Sequence, residues 1–389
     1  MLNTRKHLED IVKTSYFCGV LFNYYTNMTT KKNVTTILFT FVALVGQAQI
    51  KVEVSETVEL MSILARTAGN QEYNMDMAGQ YTGDTETWFS PHKQHAAVAC
   101  FQELKDNHSI SYDAVASMAI HLAVDGGKVK FLGETADLDK RWTKVNIDDF
   151  IDKLNKFYKD TRFHEFFEQH RSFYNEGIKS YETEVMSNFH QDWYARFYGT
   201  EPTERFHVII GFTNGGQNYG SNRHVSGQPR EVFAICGYAL NPTTGTPFWD
   251  AATLIHEFNH SFVNPLLDVA QNAALIEKVG QKLFMLSQPE MERQAYNDWR
   301  IVVNESIVRA AVFIYIKDYN LVNRGTGDFL FQEVWRKGFR WTPELVACLR
   351  NYTANREQYK TLGDYYPEIA RQLGKYIEDE TQRMQNVLK

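Results

Sequence analysis

The chain has 389 residues, of which 43% are hydrophobic and 23% charged, and its formal net charge is −6. That length supports a large domain with a sizeable core, and that composition excludes an intrinsically disordered chain. Its 41 basic and 47 acidic residues are mixed along the sequence, without the basic stripe that phosphate neutralisation needs, which argues against a nucleic-acid partner.

Residues 1–27 carry no targeting pattern and read as an upstream extension, with Met28 as an alternative start. From Met28 the sequence runs MTTKKNVTTILFTFVALVGQAQ. Lys31 and Lys32 form a positive region, Val34 to Val45 an apolar core, and Gly46 and Ala48 the −3 and −1 positions of a cleavage site. The pattern predicts a signal peptide over 28–48 and a mature chain from Gln49 that is periplasmic or secreted, with no stable membrane anchor after cleavage. Cys18 precedes that segment; Cys100, Cys236 and Cys348 have no CxxC spacing and read as buried thiols.

Farther on, TVELMSILARTAG predicts an amphipathic helix over 56–68, ended by Gly69. More helices are expected near 92–106 and 111–124, followed by a long helical region over 147–198 rich in Phe and Tyr. These aromatics read as core-packing material. RFHVIIGF (205–212) and EVFAICGYAL (231–240) predict strands. Between them TNGGQNYGSNRHVSGQP reads as a loop, because glycine and asparagine suit no packed element. Helices are then expected at 250–263, 266–286, 290–319, 328–338, 343–358 and 367–388. No repeat or linker divides residues 49–389, so the expected fold is one α+β, mostly helical domain with a small sheet preceding a central helix.

That central helix is WDAATLIHEFNHSFVNPL. Asp250 can cap its start, and Asn264-Pro265 is expected to end it. His256 and His260, four residues apart, project from one helix face and can share a zinc ion. Glu257 is placed to take a proton from water activated by that metal. The extension HExxHxxGxxH is closed here, because Val263 and Leu266 occupy its glycine and final histidine positions. The other common third ligand is a glutamate on a later helix. Glu305 stands inside IVVNESIVRAAVFIYI (301–316), where a carboxylate is costly unless paired or metal-bound. It is the expected ligand, with Arg309 a partner at i,i+4 spacing able to orient it. Glu292 and Glu277 are weaker candidates, since each lies in a polar stretch.

HEFNHSF, followed 45 residues after His260 by Glu305 in NESIVRA, resembles the gluzincin group of zinc metallopeptidases. From VEVSETVELMSILARTAGNQEYN through FTNGGQNYG and HEFNHSF to the C-terminus, the chain more closely resembles a family of exported bacterial proteins of unknown function, regarded as gluzincin-like. The resemblance implies a zincin-like active-site region, a zinc site and peptide-bond hydrolysis, carried onto His256, Glu257, His260 and Glu305. Gluzincins often place an acidic residue four positions after the ligand glutamate; this chain has Arg309 there.

A hydrolase of this kind needs a donor for the developing oxyanion, and Tyr219, His224, Tyr315, Tyr365 and Tyr366 are candidates among which the sequence does not choose. The strand at 231–240 is expected to lie along the cleft and pair with an extended peptide or protein substrate. The expected function is that of a secreted zinc metallopeptidase. The alternatives are a non-catalytic binding or scaffold protein with a vestigial motif, and a zinc hydrolase of another amide or ester. Intact Glu257 favours catalysis, because a purely structural site needs no general base.

Overall fold

The computed structural model describes residues 50–387 apart from 250, 295 and 322–325. The upstream extension, the signal peptide, Cys18 and the Asp250 cap therefore lie outside the described residues. In chain order the first half contains β1 (Lys51–Glu53), α1 (Glu56–Thr67), α2 (Gln80–Phe89), α3 (Ala96–His108), α4 (Asp113–Ile120), β2 (Leu122–Asp125), β3 (Lys128–Phe131), α5 (Ile147–Asp160), α6 (Phe163–Gln169), α7 (Arg171–Glu184) and α8 (Asp192–Tyr198). The second half contains β4 (Arg205–Gly211), β5 (Tyr219–Arg223), β6 (Glu231–Gly237), β7 (Ala239–Leu240), β8 (Pro247–Phe248), α9 (Ala251–Asp268), α10 (Ala270–Leu286), α11 (Gln288–Arg293), α12 (Trp299–Tyr319), α13 (Thr326–Phe331), a π-helical turn at Gln332–Arg336, α14 (Thr342–Ala354) and α15 (Leu362–Val387). This is the expected α+β class, mostly helical. Ala48–Lys389 forms one compact unit, and among the described residues no helix is long and apolar enough to cross a membrane.

Four strands form the main sheet in the order β1-β4-β6-β5. β1, β4 and β6 run parallel, with Val52 opposite Val208 and Val208 opposite Ala234, while β5 is antiparallel to β6, with Gly220 opposite Ala234. The apolar runs VII of β4 and VFAIC of β6 are buried, as strands covered on both faces must be. Aromatics pack the core as expected: Tyr81 alone meets the rings of Phe166, Phe173, Tyr174 and Phe212. Cys236 and Cys348 are buried and Cys100 half-buried, all as thiols.

Several boundaries differ from expectation, each for a local reason. The helix expected over 111–124 stops at Ile120 and gives way to the β2–β3 hairpin, whose turn residues Gly126 and Gly127 have φ of 57° and 72°. Two central residues at positive φ are what a two-residue hairpin requires. The region 147–198 is four helices, and the second begins after Arg162 at φ 50°. The helix expected over 290–319 divides into α11 and α12, where Asp298 caps α12 by accepting from the Arg300 amide at 2.7 Å.

Two corrections bear on the site. The glycine- and asparagine-rich stretch is not all loop: Tyr219–Arg223 forms the edge strand β5, so 231–240 is not the sheet edge. Nor does Asn264-Pro265 end the central helix, because α9 continues to Asp268. Proline at 265 removes only the bond to the Ser261 carbonyl. Both residues face an open cleft, while Val263 and Leu267 stay fully buried and hold the last turn down.

Candidate metal centre

α9 packs between β6 and α12. Its inner face buries Leu254, Ile255, Phe258 and Val263, which leaves His256 and His260 directed towards α12. α12 is buried nearly all round, and Ser306 pins it by accepting a 2.7 Å hydrogen bond from Trp341 Nε1 while donating to the Val302 carbonyl. Glu305, next to Ser306, thereby meets the two histidines. Nε2 of His256 and Nε2 of His260 are 3.1 Å apart, Glu305 Oε2 is 3.5 Å from His256 Nε2, and Glu305 Oε1 is 3.3 Å from His260 Nε2.

These separations test whether the residues fit a metal. A tetrahedral cation held at ~2.0–2.1 Å sets its ligand atoms about 3.3–3.4 Å apart; the separations here run from 3.1 to 3.5 Å, with one Glu305 oxygen facing each histidine. His260 Nδ1 lies 3.1 Å from Asn264 Oδ1. When Nδ1–H donates there, a lone pair is left on Nε2, so two imidazole nitrogens and a carboxylate converge as acceptors. Such a set needs a cation or a proton between its members. Without a metal a proton serves: burial works to lower the His260 pKa, but hydrogen bonding and charge from Glu305, with Glu257 and Asn264 adding, push it up to about 9. Among the described residues this is the one group of three or more His, Cys, Asp or Glu side chains with converging ligand atoms. Glu292 and Glu277 are elsewhere, on exposed helix positions where Gln288 and Gln281 donate to them.

Glu305 is buried and fully surrounded. Burial opposes its ionisation, but His256 and Arg309 hold its carboxyl well below the usual range. Arg309 Nη2 lies 3.0 Å from Glu305 Oε2 and donates to Tyr296 Oη at 3.0 Å, while Nη1 donates to Glu333 Oε2 at 2.8 Å. The guanidinium also stacks over the Phe339 ring, 4.6 Å from its centroid. Thus Arg309 does pair with Glu305, as its spacing suggested, and the pairing coexists with the two histidines at the same carboxylate.

Beside the three ligand candidates opens a cleft of about 600 Å³, lined by Glu257 and His260 of α9 and by Gly220, Ser221 and Asn222 of β5, among others. β5 passes so close to Glu257 that a Cβ at Gly220 would fall 1.8 Å from Glu257 Oε2. Only glycine leaves the carboxylate that space. Asn218 ties the entry of this strand to the helix: its Nδ2 donates to Thr253 Oγ1 at 3.2 Å, and its Oδ1 accepts from the Gly237 amide at 2.9 Å.

None of the five proposed oxyanion donors lines this cleft. Tyr219 precedes Gly220 and so points to the opposite face of β5, where it stacks on Tyr73. His224 follows the end of β5, its amide donating to Asp137. Tyr315 sits ten residues beyond Glu305, about 15 Å along α12, and its hydroxyl accepts from the His190 amide. Tyr365 accepts from Asn351, and Tyr366, on α15, is fully buried. Sequence reasoning missed Gly220, Asn264 and Glu333. In the sequence Gly220 is one glycine among many, Asn264 before Pro265 signals a helix end, and Glu333 carries no signal.

The family model described as "Domain of unknown function (DUF4932)" matches residues 50–372, most of the chain. Comparison with curated proteins and with solved structures gives no match.

Proposed function

The chain belongs to the DUF4932 family, and we propose that it is an exported zinc-dependent metallopeptidase. The observation that carries this reading is the convergence of His256 Nε2, His260 Nε2 and the Glu305 carboxylate at tetrahedral spacing, with Glu257 beside them on an open cleft. Three protein ligands and an open fourth position are the arrangement of catalytic zinc sites, whereas structural sites are closed by four. Zinc held by His256, His260 and Glu305 would supply Lewis acidity, making a water beside Glu257 acidic enough to ionise near neutral pH.

The chain's own residues do the rest. Glu257, one residue from His256 but on the cleft side, accepts a proton from the attacking water on its carboxylate and returns it to the leaving amine nitrogen. Asn264 and Arg309 keep His260 and Glu305 in their orientations, so that geometry is set before substrate arrives. An extended peptide is the substrate class favoured, because β5 is an edge strand whose outer backbone groups are available to pair beside Glu257.

The test is hydrolysis of a broad peptide library by zinc-loaded protein. Cleavage lost on chelation and in Glu257→Gln, with the variant still holding zinc, would support the reading. Zinc-loaded wild type that cleaves nothing the Glu257→Gln variant spares would overturn it.

A further inference from the structure

We propose that Glu333, turned inward by the π-helical segment Gln332–Arg336, is a positioning residue for the metal site, acting on Glu305 through Arg309. The inference rests on reading His256, His260 and Glu305 as zinc ligands, and it concerns what keeps the third ligand available.

The backbone comes first. A π turn is wider than an α-turn by one residue and concentrates at functional sites. Here the Lys337 amide donates to the Gln332 carbonyl at 3.0 Å, and the Phe339 amide to the Glu333 carbonyl at 3.0 Å. Glu333 and Val334 are thereby buried, whereas Phe331 and Trp335 on either side are exposed. An acidic side chain with 2% exposure, flanked by exposed aromatics, reverses the ordinary sorting of side chains.

Its partners explain the reversal. Glu333 Oε2 accepts from Arg309 Nη1 at 2.8 Å and Oε1 from Lys337 Nζ at 2.9 Å. Arg309 thus carries a carboxylate on each side, Glu305 and Glu333, with Tyr296 and the Phe339 ring fixing its plane. Remove the charge at 333 and the guanidinium has one anionic partner left. Its fork can then take both oxygens of Glu305, including Oε1, the atom that faces His260. Glu333 therefore divides the hold of Arg309, leaving Glu305 oriented by it but free to serve a cation.

Chelator competition measures zinc affinity in full-length wild type, Glu333→Gln, Arg309→Met and the double variant, alongside melting of each metal-free protein. Glu333→Gln keeps the volume and a hydrogen bond, so the metal-free protein should still melt cooperatively, at a lower temperature than wild type, while zinc affinity falls ten- to hundredfold, the range for lost outer partners of metal ligands. In the Arg309→Met background the same change should weaken zinc no further, since the pathway runs through Arg309. Should Glu333→Gln not fold, Glu333→Met, which also removes the charge at similar volume, is read the same way. Wild-type zinc affinity in the Glu333 variant would overturn the inference, as would an equal loss with and without Arg309. If His256→Ala also retained full zinc, the metal site itself would fall; if only the Glu333 result failed, the site would stand and the positioning role would not.

Discussion

Gly220→Ala separates catalysis from folding at this site. The backbone of Gly220 is not in the positive-φ region, so alanine suits the strand. The added methyl would lie 1.8 Å from Glu257 Oε2 and 2.9 Å from its Cδ, where ordinary contact begins at about 3.4 Å. The obstacle is the end of a flexible side chain, so the carboxylate retreats by about 1.6 Å and the sheet stays put. Stability should change by under about 1 kcal/mol, because alanine also restricts the unfolded chain. Zinc content should be unchanged, since Glu257 is not among the three ligands. A general base displaced by more than 1 Å is expected to cost about 100-fold in kcat. Steady-state hydrolysis of a cleaved library peptide, with metal content and thermal melting on the same preparation, measures all three. Wild-type kcat in a folded, zinc-loaded Gly220→Ala protein would refute the placement of Glu257 as the base.

Glu305→Ala should lower zinc affinity strongly, whereas Glu292→Ala and Glu277→Ala should match wild type in the same chelator competition. Glu59 should make stability fall as pH rises. It is fully buried, and desolvation, opposed by hydrogen bonds from Tyr81 and from the Phe212 and Thr213 region, raises its pKa from 4.5 to about 7. Between those values the folded chain holds one more proton than the unfolded one. This contribution is full below about pH 4.5 and is lost as pH rises through about 7, a difference of about 3 kcal/mol. Urea unfolding at pH 5 and pH 8 should show it in wild type and not in Glu59→Gln; parallel profiles would refute it. Export should end with cleavage after Ala48, so sequencing the exported protein should read from Gln49, and an intact Met1 or Met28 on membrane-bound material would contradict this.

What the sequence disclosed followed from how local its signals were. His256, Glu257 and His260 share one helical turn, and Glu305 announced itself as a carboxylate in an apolar helix, so all four could be named and the structure brings the three ligand candidates together. β4 and β6 were legible because strands buried on both faces are continuously apolar. β5 was hidden because the glycine that lets the strand pass Glu257 is a loop signal to any local reading. Glu333 is hidden for a different reason: it lies 24 residues beyond Arg309 in the mixed aromatic and charged run FLFQEVWRK, and only the π turn sends it inward. The oxyanion candidates share only a residue type that can donate, and none of them lines the cleft.

A crystal structure of zinc-loaded protein with anomalous data at the zinc edge tests the central claim most directly. The expected result is one peak per chain about 2 Å from His256 Nε2, His260 Nε2 and the Glu305 carboxylate, open towards Glu257. Zinc bound at another set of residues, or Glu305 bonded to Arg309 alone with no peak between the histidines, would contradict it.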